Sequence, residues 1–414
     1  MKIIVLHPTG NKNVRAVIDG LNEAGMLLEF NTTLAVDADS SWLKYLPKKF
    51  SQELLRRTYP SIAKRLLISH PFAEIGRLLS TKLGWNWFVR PEVGMLSIDK
   101  IYRGLDQKVA KRILKMGKAK IDAVYGYEDG ALESFTAAKK LGIKCIYELP
   151  IAYWETGRDL MKAEALRNPN WEITLGGGTR DSMEKLERKT KELELADVVI
   201  VSSSFVEDSL PKWAKGKKII MSPFGSPASA TTAAPEVSKK GSNGKLRVLF
   251  AGSMGQRKGL CDLFDAVKLL NRDDLELVVM GSLLAPMEFY RSAYPGFTYE
   301  AGRSNDQVLA LMRSCDVFCL PSIVEGRALV MQEAMSQGLP IIITPNTGGS
   351  DLVISEKTGF LVPIGSPEKI AEKLEWFLHN RERIPEMGNA AKLHAAKYSW
   401  ESYASTIVNE IKDI

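Results

Sequence analysis

Residues 319–349 read CLPSIVEGRALVMQEAMSQGLPIIITPNTGG and contain the most informative pattern in the chain. The apolar run that ends at Pro321 and Ser322 predicts a buried strand, the run that follows from near Arg327 predicts a helix, and LPIIIT predicts another strand. A strand, a helix and a strand in succession form a parallel α/β unit. The stretch therefore predicts a parallel sheet.

The turn before this helix has the composition of an anion site. Gly326 has no side chain to block a phosphate, and the free N–H groups and positive dipole end of a helix N-terminus attract anions. Glu333 follows Glu325 by eight residues, or roughly 12 Å at helical rise. That distance is similar to the span from sugar to ribose in a nucleotide sugar. Taken alone, however, the two acids are better explained as ordinary helix-surface residues.

A second strand, Gly-rich turn and helix occur at residues 249–267, LFAGSMGQRKGLCDLFDAV. Arg257 and Lys258 stand just before the helix, where their charges can neutralise a diphosphate. A lysine at a helix N-terminus opposes the dipole, so an anionic ligand explains it better than solvent does. Ligands bind at the carboxyl edge of open α/β sheets. We therefore expect the two turns to face each other.

Outside these stretches, strand–helix alternation occurs twice along the chain. It begins at MKIIVLHP, with residues 42–90 predicted to be largely helical, and starts again at KLRVLFAG. Between the two halves, residues 226–244 contain Val237 as their only large apolar residue and predict a linker. The sequence thus predicts an N-terminal α/β domain over 1–225 and a C-terminal α/β domain over 245–398.

The composition is that of a soluble globular chain. It has 414 residues, 45% of them hydrophobic and 25% charged, which fits two domains of ordinary size. Four scattered cysteines favour a reducing compartment over a disulfide framework. The N-terminus reads as a strand rather than a signal peptide, and no apolar run is long enough to span a bilayer. We expect a cytoplasmic protein, unless it attaches peripherally to the inner face of a membrane.

The positive charge is concentrated in one block. Between Lys44 and Lys120 there are eighteen Lys or Arg and five acids, a net +13, so the rest of the chain carries −6. Aromatic residues alternate with these bases, namely Trp42, Tyr45, Phe50, Tyr59, Trp85, Trp87 and Phe88. The combination suits an anionic membrane surface or an anionic acceptor. A solvated helical surface is the other explanation, and no nucleic-acid-binding signature occurs.

Several ordered motifs resemble the family 4 glycosyltransferases, whose GT-B fold sets two Rossmann-like doubly wound domains across a cleft. They are Glu325 with Glu333, the AGSMGQRKG turn, SCDVFCLPS before the Glu motif, and TPNTGG and EKTGFLVP after it. The resemblance covers essentially the whole C-terminal domain. It implies that the last helix, over 399–414, crosses back to the N-terminal domain.

The resemblance implies a retaining glycosyltransferase of the hexosyltransferase type, with a nucleoside-diphosphate-sugar as donor and no cofactor or metal site. The acceptor is expected to be a glycan or a lipid-linked glycan in cell-surface polysaccharide synthesis. Lys258 should contact the diphosphate, Glu325 the sugar or its adjacent phosphate, and Glu333 the ribose, with Glu325 and Lys258 as the catalytic pair. The expected donor-binding residues are Ser253, Arg257, Lys258, Gly281, Ser282, Arg303, Ser304, Asn305, Glu325, Gly326, Arg327, Ala328 and Glu333.

The donor motifs depart from the usual pattern in two places. Relatives usually have Arg where this chain has Ser253, so Arg257 or Arg327 is expected to supply the missing charge. Ala328 replaces a usual glycine. The lone Asp-x-Asp, at Asp37 and Asp39, is interpreted as accidental rather than as a metal signature.

The acceptor side departs further, because no His follows the strand IKCIYEL. Glu148 is the candidate substitute, and His7 and Gly10 after the first strand are further acceptor-side candidates. Two alternatives stay open: a sugar-nucleotide epimerase of the same fold, which needs no acceptor, and a non-catalytic sugar-nucleotide-binding protein. A dehydrogenase is disfavoured because neither first strand is followed by GxGxxG.

Overall fold

The computed structural model describes residues 1–227 and 244–414, apart from the side chains of Trp42, Lys49 and Phe50. Within these ranges the chain forms two fully parallel sheets, which confirms the predicted α/β class. The first sheet has seven strands in the order β3-β2-β1-β4-β5-β6-β7. Its strands are β1 Ile3–Leu6, β2 Leu27–Thr32, β3 Leu67–Ser69, β4 Ala123–Tyr127, β5 Lys144–Leu149, β6 Val198–Val201 and β7 Lys218–Met221.

The second sheet follows within the described part of the chain, with six parallel strands in the order β10-β9-β8-β11-β12-β13. They are β8 Leu246–Ala251, β9 Leu275–Met280, β10 Thr298–Glu300, β11 Val317–Leu320, β12 Ile341–Ile343 and β13 Gly359–Leu361. Central strands such as β1, β11 and β12 are uninterrupted apolar runs buried at every position. Such runs are what a parallel sheet covered by helices on both faces requires.

Helices fill the connections between strands and follow the last strand. They are α1 Lys12–Glu23, α2 Lys48–Leu55, α3 Phe72–Lys82, α4 Ile98–Met116, α5 Leu132–Lys140, α6 Trp154–Arg167, α7 Met183–Leu195, α8 Ser204–Asp208, α9 Leu260–Leu270, α10 Met287–Ala293, α11 Asn305–Arg313, α12 Leu329–Ser336, α13 Pro367–His379, α14 Ile384–Ala395 and α15 Trp400–Ile411. In the described ranges, no helix combines the length and the apolar composition that a bilayer crossing requires.

The prediction that residues 42–90 are largely helical is wrong in part. Leu67 and Ile68 belong to the edge strand β3, where they pair with Phe30 and Asn31 of β2. Residues beyond α3, up to the start of α4, form turns rather than helix. The apolar and basic residues of this stretch fit the pattern of a helix. Leu67 and Ile68 nevertheless form a strand, because they pair with the open edge of β2.

Two segments cross between the halves of the molecule. The C-terminal helix α15 packs on α1, and Gly20 of α1 lies so close to Ala404 that a side chain at residue 20 would collide with it. In the other direction Trp171 is buried in the core of the second sheet, against Phe264 and Phe289. The domain division at 226–244 stays a prediction, because residues 228–243 lie outside the described residues.

Candidate functional site

The order of strands reverses once in each sheet, between β1 and β4 in the first and between β8 and β11 in the second. A crevice opens outside the carboxyl ends of the strands at such a reversal, and ligands bind there in open α/β sheets. The segments that follow these four strands cover residues 7–11, 128–131, 252–259 and 321–328. These segments contain more than half of the predicted site residues.

The two turns of the second sheet touch each other. Gly259 has the left-handed backbone (φ +75°), and a Cβ atom there would lie 2.0 Å from the carbonyl oxygen of Pro321, so only glycine permits this approach. The N–H of Ile323 also donates to the carbonyl oxygen of Arg257 at 2.9 Å. The turn before α9 is therefore fixed against the turn before α12.

Three charged side chains meet between these turns. Lys258 Nζ lies 2.6 Å from Glu325 Oε1, and the Arg257 guanidinium lies 2.8 Å from the same oxygen. Arg257 also donates to the carbonyl oxygen of Val324 at 2.9 Å. Lys258 and Glu325 are largely shielded from solvent, so their charges are weakly screened. Two cations on one carboxylate leave a net positive charge beside the N-terminus of α12, which favours an anion.

The Arg327 side chain is held by partners within the protein. Its guanidinium is fully buried, donates to both carboxylate oxygens of Asp351 at 2.8 and 3.1 Å, and lies over the ring of Tyr398. It also donates to Gln332 at 2.9 Å. Burial raises the pKa of Asp351, but the hydrogen bonds and charge of Arg327 outweigh it and the net pKa is lowered. Arg257, by contrast, is paired with Glu325, and which of the two arginines supplies the charge missing at Ser253 stays a prediction.

Gly326 is in close contact with the first half of the chain, a constraint that was not predicted. A Cβ atom at residue 326 would lie 1.8 Å from the carbonyl oxygen of Pro150, in the first half of the chain. Ser203 Oγ donates to the carbonyl oxygen of Gly326 at 2.6 Å. The glycine is thus required where the two halves of the protein meet. The following helix begins at Leu329, two residues later than predicted, with Ala328 buried as its N-cap.

The remaining donor-side candidates lie along the edge of the second sheet. Gly281 directly follows β9, and a Cβ atom there would lie 1.6 Å from the carbonyl oxygen of Gly252. Ser253 follows Gly252 and is half-buried. Ser282 is exposed, and its carbonyl oxygen accepts the N–H of Met254 at 2.9 Å.

The candidates Arg303, Ser304 and Asn305 form the exposed start of α11. Arg303 pairs with Glu300, and Ser304 caps the helix together with Gln307, so local helix capping accounts for Ser304 without a ligand.

A cavity of about 1160 Å³ opens at the β1/β4 crevice and extends to α12 of the other half. It includes four of the predicted site residues, His7, Gly10, Arg327 and Glu333. Its charged lining is mixed and comprises Lys12, Arg15, Arg56, Arg57, Lys185, Arg327, Glu53, Asp99, Glu128, Asp129 and Glu333. Among its basic residues, Arg56 and Arg57 come from the +13 block.

Glu333 faces the first half of the chain across this cavity. Its carboxylate lies 3.8 Å from Lys12 Nζ, and α12 buries most of the Glu333 side chain. Lys12 was not predicted, although it is only two residues after Gly10, at the start of α1. The pair places one charged group from each half at the same opening.

His7 is a buried hydrogen-bond acceptor and donor at the cavity wall. Its Nδ1 accepts the N–H groups of Thr9 at 3.1 Å and Gly10 at 3.0 Å, so the ring proton resides on Nε2. Burial and then the charge of Arg57 lower the pKa of His7 to about 3. The imidazole is therefore neutral at physiological pH and can donate a hydrogen bond through Nε2.

The lowered pKa of His7 predicts a pH-dependent stability. Because the folded pKa lies below the unfolded value, the unfolded chain binds the extra proton, and stability is lost as pH falls below about 6.5. In urea titrations between pH 7 and 5, His7→Asn, which keeps an acceptor near Nδ1, is expected to lose about 2 kcal/mol less than wild type. The exposed His379→Gln serves as control. An equal loss in wild type and His7→Asn would contradict the assignment.

Glu148 is a core residue rather than a cavity residue. Its buried carboxylate accepts hydrogen bonds from Asn13 Nδ2 at 2.7 Å, Tyr125 Oη at 2.6 Å and Tyr403 Oη at 2.8 Å. Burial raises its pKa, and these hydrogen bonds offset part of the rise. It does not line the described cavity. Glu148 is the penultimate residue of β5, which does not flank the reversal of strand order, and its hydrogen bond with Tyr403 ties α15 to the first sheet.

The turn after β4 contributes cavity residues that carry no recognisable sequence motif. Tyr127, Glu128 and Asp129 all line the cavity. Asp129 has a positive φ of +73°, which is strained for a residue other than glycine. The buried Glu192 carboxylate fixes this turn by accepting the N–H groups of Asp129 at 2.9 Å and Ala131 at 3.0 Å. Their position in the sequence could have predicted these residues, because they follow the buried strand IDAVYGY, whose carboxyl end lies beside that of β1.

The second half of the chain is similar in sequence to a known protein family. Residues 234–394 match the family described as Glycosyl transferases group 1. The sulfoquinovosyl transferase SQD2 of Arabidopsis thaliana is 31% identical over 166 residues, which are 39% of this chain and 32% of that protein. A phosphatidyl-myo-inositol mannosyltransferase of Mycobacterium leprae is 30% identical over 50% of this chain and 58% of its own length. The chain thus spans well under two thirds of each of these relatives.

Solved structures match over the whole chain. Sucrose-phosphate synthase from Thermosynechococcus elongatus superposes with a TM-score of 0.65 at 16% identity, covering 100% of this chain and 98% of that one. Anabaena HepE in complex with UDP superposes with a TM-score of 0.63 at 16% identity, covering 100% of both chains. At such identity the likeness shows the fold. That fold is the GT-B fold, and residues 234–394 of the chain match the group 1 glycosyl transferases, the family 4 enzymes that the sequence resembles.

Proposed function

We propose that this protein transfers a hexose from a nucleoside diphosphate sugar to an acceptor, with the anomeric configuration retained. The observation that carries the proposal is the contact of Lys258 and Arg257 with Glu325 between two strand–helix junctions. This arrangement offers a net positive charge and a helix N-terminus to one anion. A diphosphate satisfies both, with Glu325 and Glu333 available for hydroxyl groups.

In the proposed reaction the bond between the anomeric carbon and the phosphate oxygen breaks. The anomeric carbon bonds to the acceptor oxygen on the same face, and the acceptor's proton passes to the departing phosphate oxygen. Lys258, Arg257 and the N-terminus of α12 stabilise the charge that develops on the leaving diphosphate. Closure of the two halves excludes water and suppresses hydrolysis of the donor.

The proposed acceptor is a glycan or a lipid-linked glycan, as in cell-surface polysaccharide synthesis, and occupies the β1/β4 cavity. Six bases and five acids line this cavity, so its wall suits an acceptor that carries both hydroxyl groups and an anionic group. His7 Nε2–H and the Asp129 carboxylate are suited to acceptor hydroxyls. The mannosyltransferase relative bears the name of a phosphatidyl-inositol acceptor, which supports a lipid-borne acceptor.

The first donor to test is UDP-glucose, because HepE has been solved with UDP and with UDP-glucose. In a thermal-shift screen of UDP-, GDP- and ADP-linked hexoses, one nucleotide at a hundredfold excess over its Kd is expected to raise Tm by about 5 °C. Glu333→Ala should weaken that ligand about tenfold, through loss of its hydrogen bonds to the ribose. The ion-paired surface acid Glu372 provides the control, as Glu372→Ala.

Three outcomes separate the functions. Donor consumption that requires an acceptor supports transfer. Donor turnover without acceptor supports the epimerase, and binding without turnover in a complete acceptor extract supports a non-catalytic binding protein. A screen in which no nucleotide sugar stabilises the protein, or in which Glu333→Ala responds like wild type, would contradict the proposed donor site.

A further inference from the structure

An exposed apolar stripe runs along α3. Phe72, Ile75, Leu79 and Leu83 recur at spacings of three and four residues, so they share one face of the helix and its C-cap. Phe72 is 87% exposed and Leu83 is 58% exposed. The inward side of α3 is already packed, since Leu78 contacts the cluster formed by Leu34, Val36, Leu43 and Leu54. The stripe is therefore not the face that attaches α3 to the protein.

The turns after α3 extend this apolar area. Trp87 and Met95 are 68% and 74% exposed. They are held in a defined conformation, because the N–H of Leu96 donates to the carbonyl oxygen of Phe88 at 2.8 Å and Leu96 packs against Gly76 of α3. We name this area the α3 surface. It comprises Phe72, Ile75, Leu79, Leu83, Trp85, Trp87, Val93, Met95 and Ile98.

The acids of this segment are turned away from solvent. Glu74 is buried and paired with Arg77 at 2.7 Å and with Arg57 at 3.4 Å. The Glu92 carboxylate accepts hydrogen bonds from the backbone and hydroxyl of Ser182. The same segment carries three exposed bases, namely Lys82, Arg90 and Lys100. The α3 surface is therefore apolar with a positive border.

The α3 surface is continuous with the β1/β4 cavity. Val89, Pro91 and Asp99 line that cavity, and Ile98 belongs both to the cavity wall and to the exposed surface. A molecule held against the α3 surface is thus next to the cavity mouth.

We propose that the α3 surface docks on an anionic lipid bilayer. Tryptophan, phenylalanine and leucine enter the interfacial region of a membrane, while Lys and Arg at the border bind anionic headgroups. A protein partner does not require bases of one sign beside the apolar residues, and a second copy of the chain would place like charges against each other. Docking presents the cavity mouth at the depth of lipid headgroups, and it takes place without donor or transfer.

The test is flotation of the full chain with vesicles of phosphatidylcholine alone and of equal parts phosphatidylcholine and phosphatidylglycerol. Wild type is expected to bind the anionic vesicles and to be released by high salt. The variant Phe72→Ser/Leu83→Ser/Trp87→Ser should reduce the partition coefficient at least about tenfold, because each change removes apolar area from the interface. The matched control, Leu166→Ser/Leu269→Ser/Leu393→Ser, removes three exposed apolar residues elsewhere and should bind like wild type.

Circular dichroism and the nucleotide thermal shift should be unchanged in both triple variants, because all six residues are exposed. Failure of wild type to bind anionic vesicles would overturn the proposal, as would equal binding by the α3 variant. A wild-type dimer that the α3 variant abolishes, with no vesicle binding, would assign the surface to self-association instead. None of these results depends on sugar transfer, so the bilayer proposal and the proposed reaction fail separately.

Discussion

Replacing Lys258 with alanine is expected to lower kcat for sugar transfer by about a hundred- to a thousandfold, the usual cost of removing one group that stabilises transition-state charge. Lys258 Nζ lies 2.6 Å from Glu325, at the junction where we place the leaving diphosphate. Negative charge on that group grows as the sugar departs, so the ammonium interacts more strongly with the transition state than with the bound donor. The loss should therefore appear mainly in kcat and less in the donor KM.

The measurement is initial-rate kinetics with the donor found by thermal shift, alongside urea unfolding of the same samples. Lys268→Ala is the matched control, because Lys268 is also a lysine of this region, paired with Asp265 on α9. Arg257 stays paired with Glu325 in Lys258→Ala, so the fold should lose little stability. A Lys258→Ala enzyme with a kcat close to that of the control would remove Lys258 from the reaction.

The central strands and the contact between Lys258 and Glu325 were predictable from sequence for the same physical reason. A parallel strand that is covered on both faces is a continuous apolar run. VFCL and III are such runs, so the sequence predicts them as buried strands. The glycines and bases that follow such runs then fall at one sheet edge, which brings Lys258 to Glu325. Edge strand β3 lacks this signal, because it is short and only partly buried, and its apolar residues fit a helix equally well.

Side-chain partners from distant segments were not predictable. Glu148 is a carboxylate near the carboxyl end of a strand, where an acceptor-side residue is expected, but its three donors come from α1, β4 and α15. Asp129 lines the cavity because Glu192, more than sixty residues later, fixes its turn. The spacing of residues predicts which side chains lie on the same face of one helix or strand. It does not predict which charged side chains are paired with residues from distant segments.

Arg327 and Arg257 differ in this respect, because Arg327 is paired inside the fold and Arg257 lies at the proposed donor site. Arg327 joins Asp351, Gln332 and the ring of Tyr398, and Gln332 in turn donates to Phe224 and Ser226 at the crossing between the halves. Arg327→Ala leaves the buried part of this network without its cation. We expect a loss of about 3 kcal/mol in the free energy of unfolding, at the low end for a broken buried pair because Asp351 keeps some access to water.

Arg257→Ala should show the opposite pattern. Its guanidinium is partly exposed and makes two contacts at the donor junction, so stability should fall by about 1 kcal/mol or less while the nucleotide Kd rises about tenfold or more. Urea titration gives the first quantity, and calorimetric titration of the nucleotide, at a temperature where both variants are folded, gives the second. If Arg327→Ala instead weakens the nucleotide more than Arg257→Ala does, then Arg327 leaves Asp351 when the donor binds, and its charge belongs to the phosphate site after all.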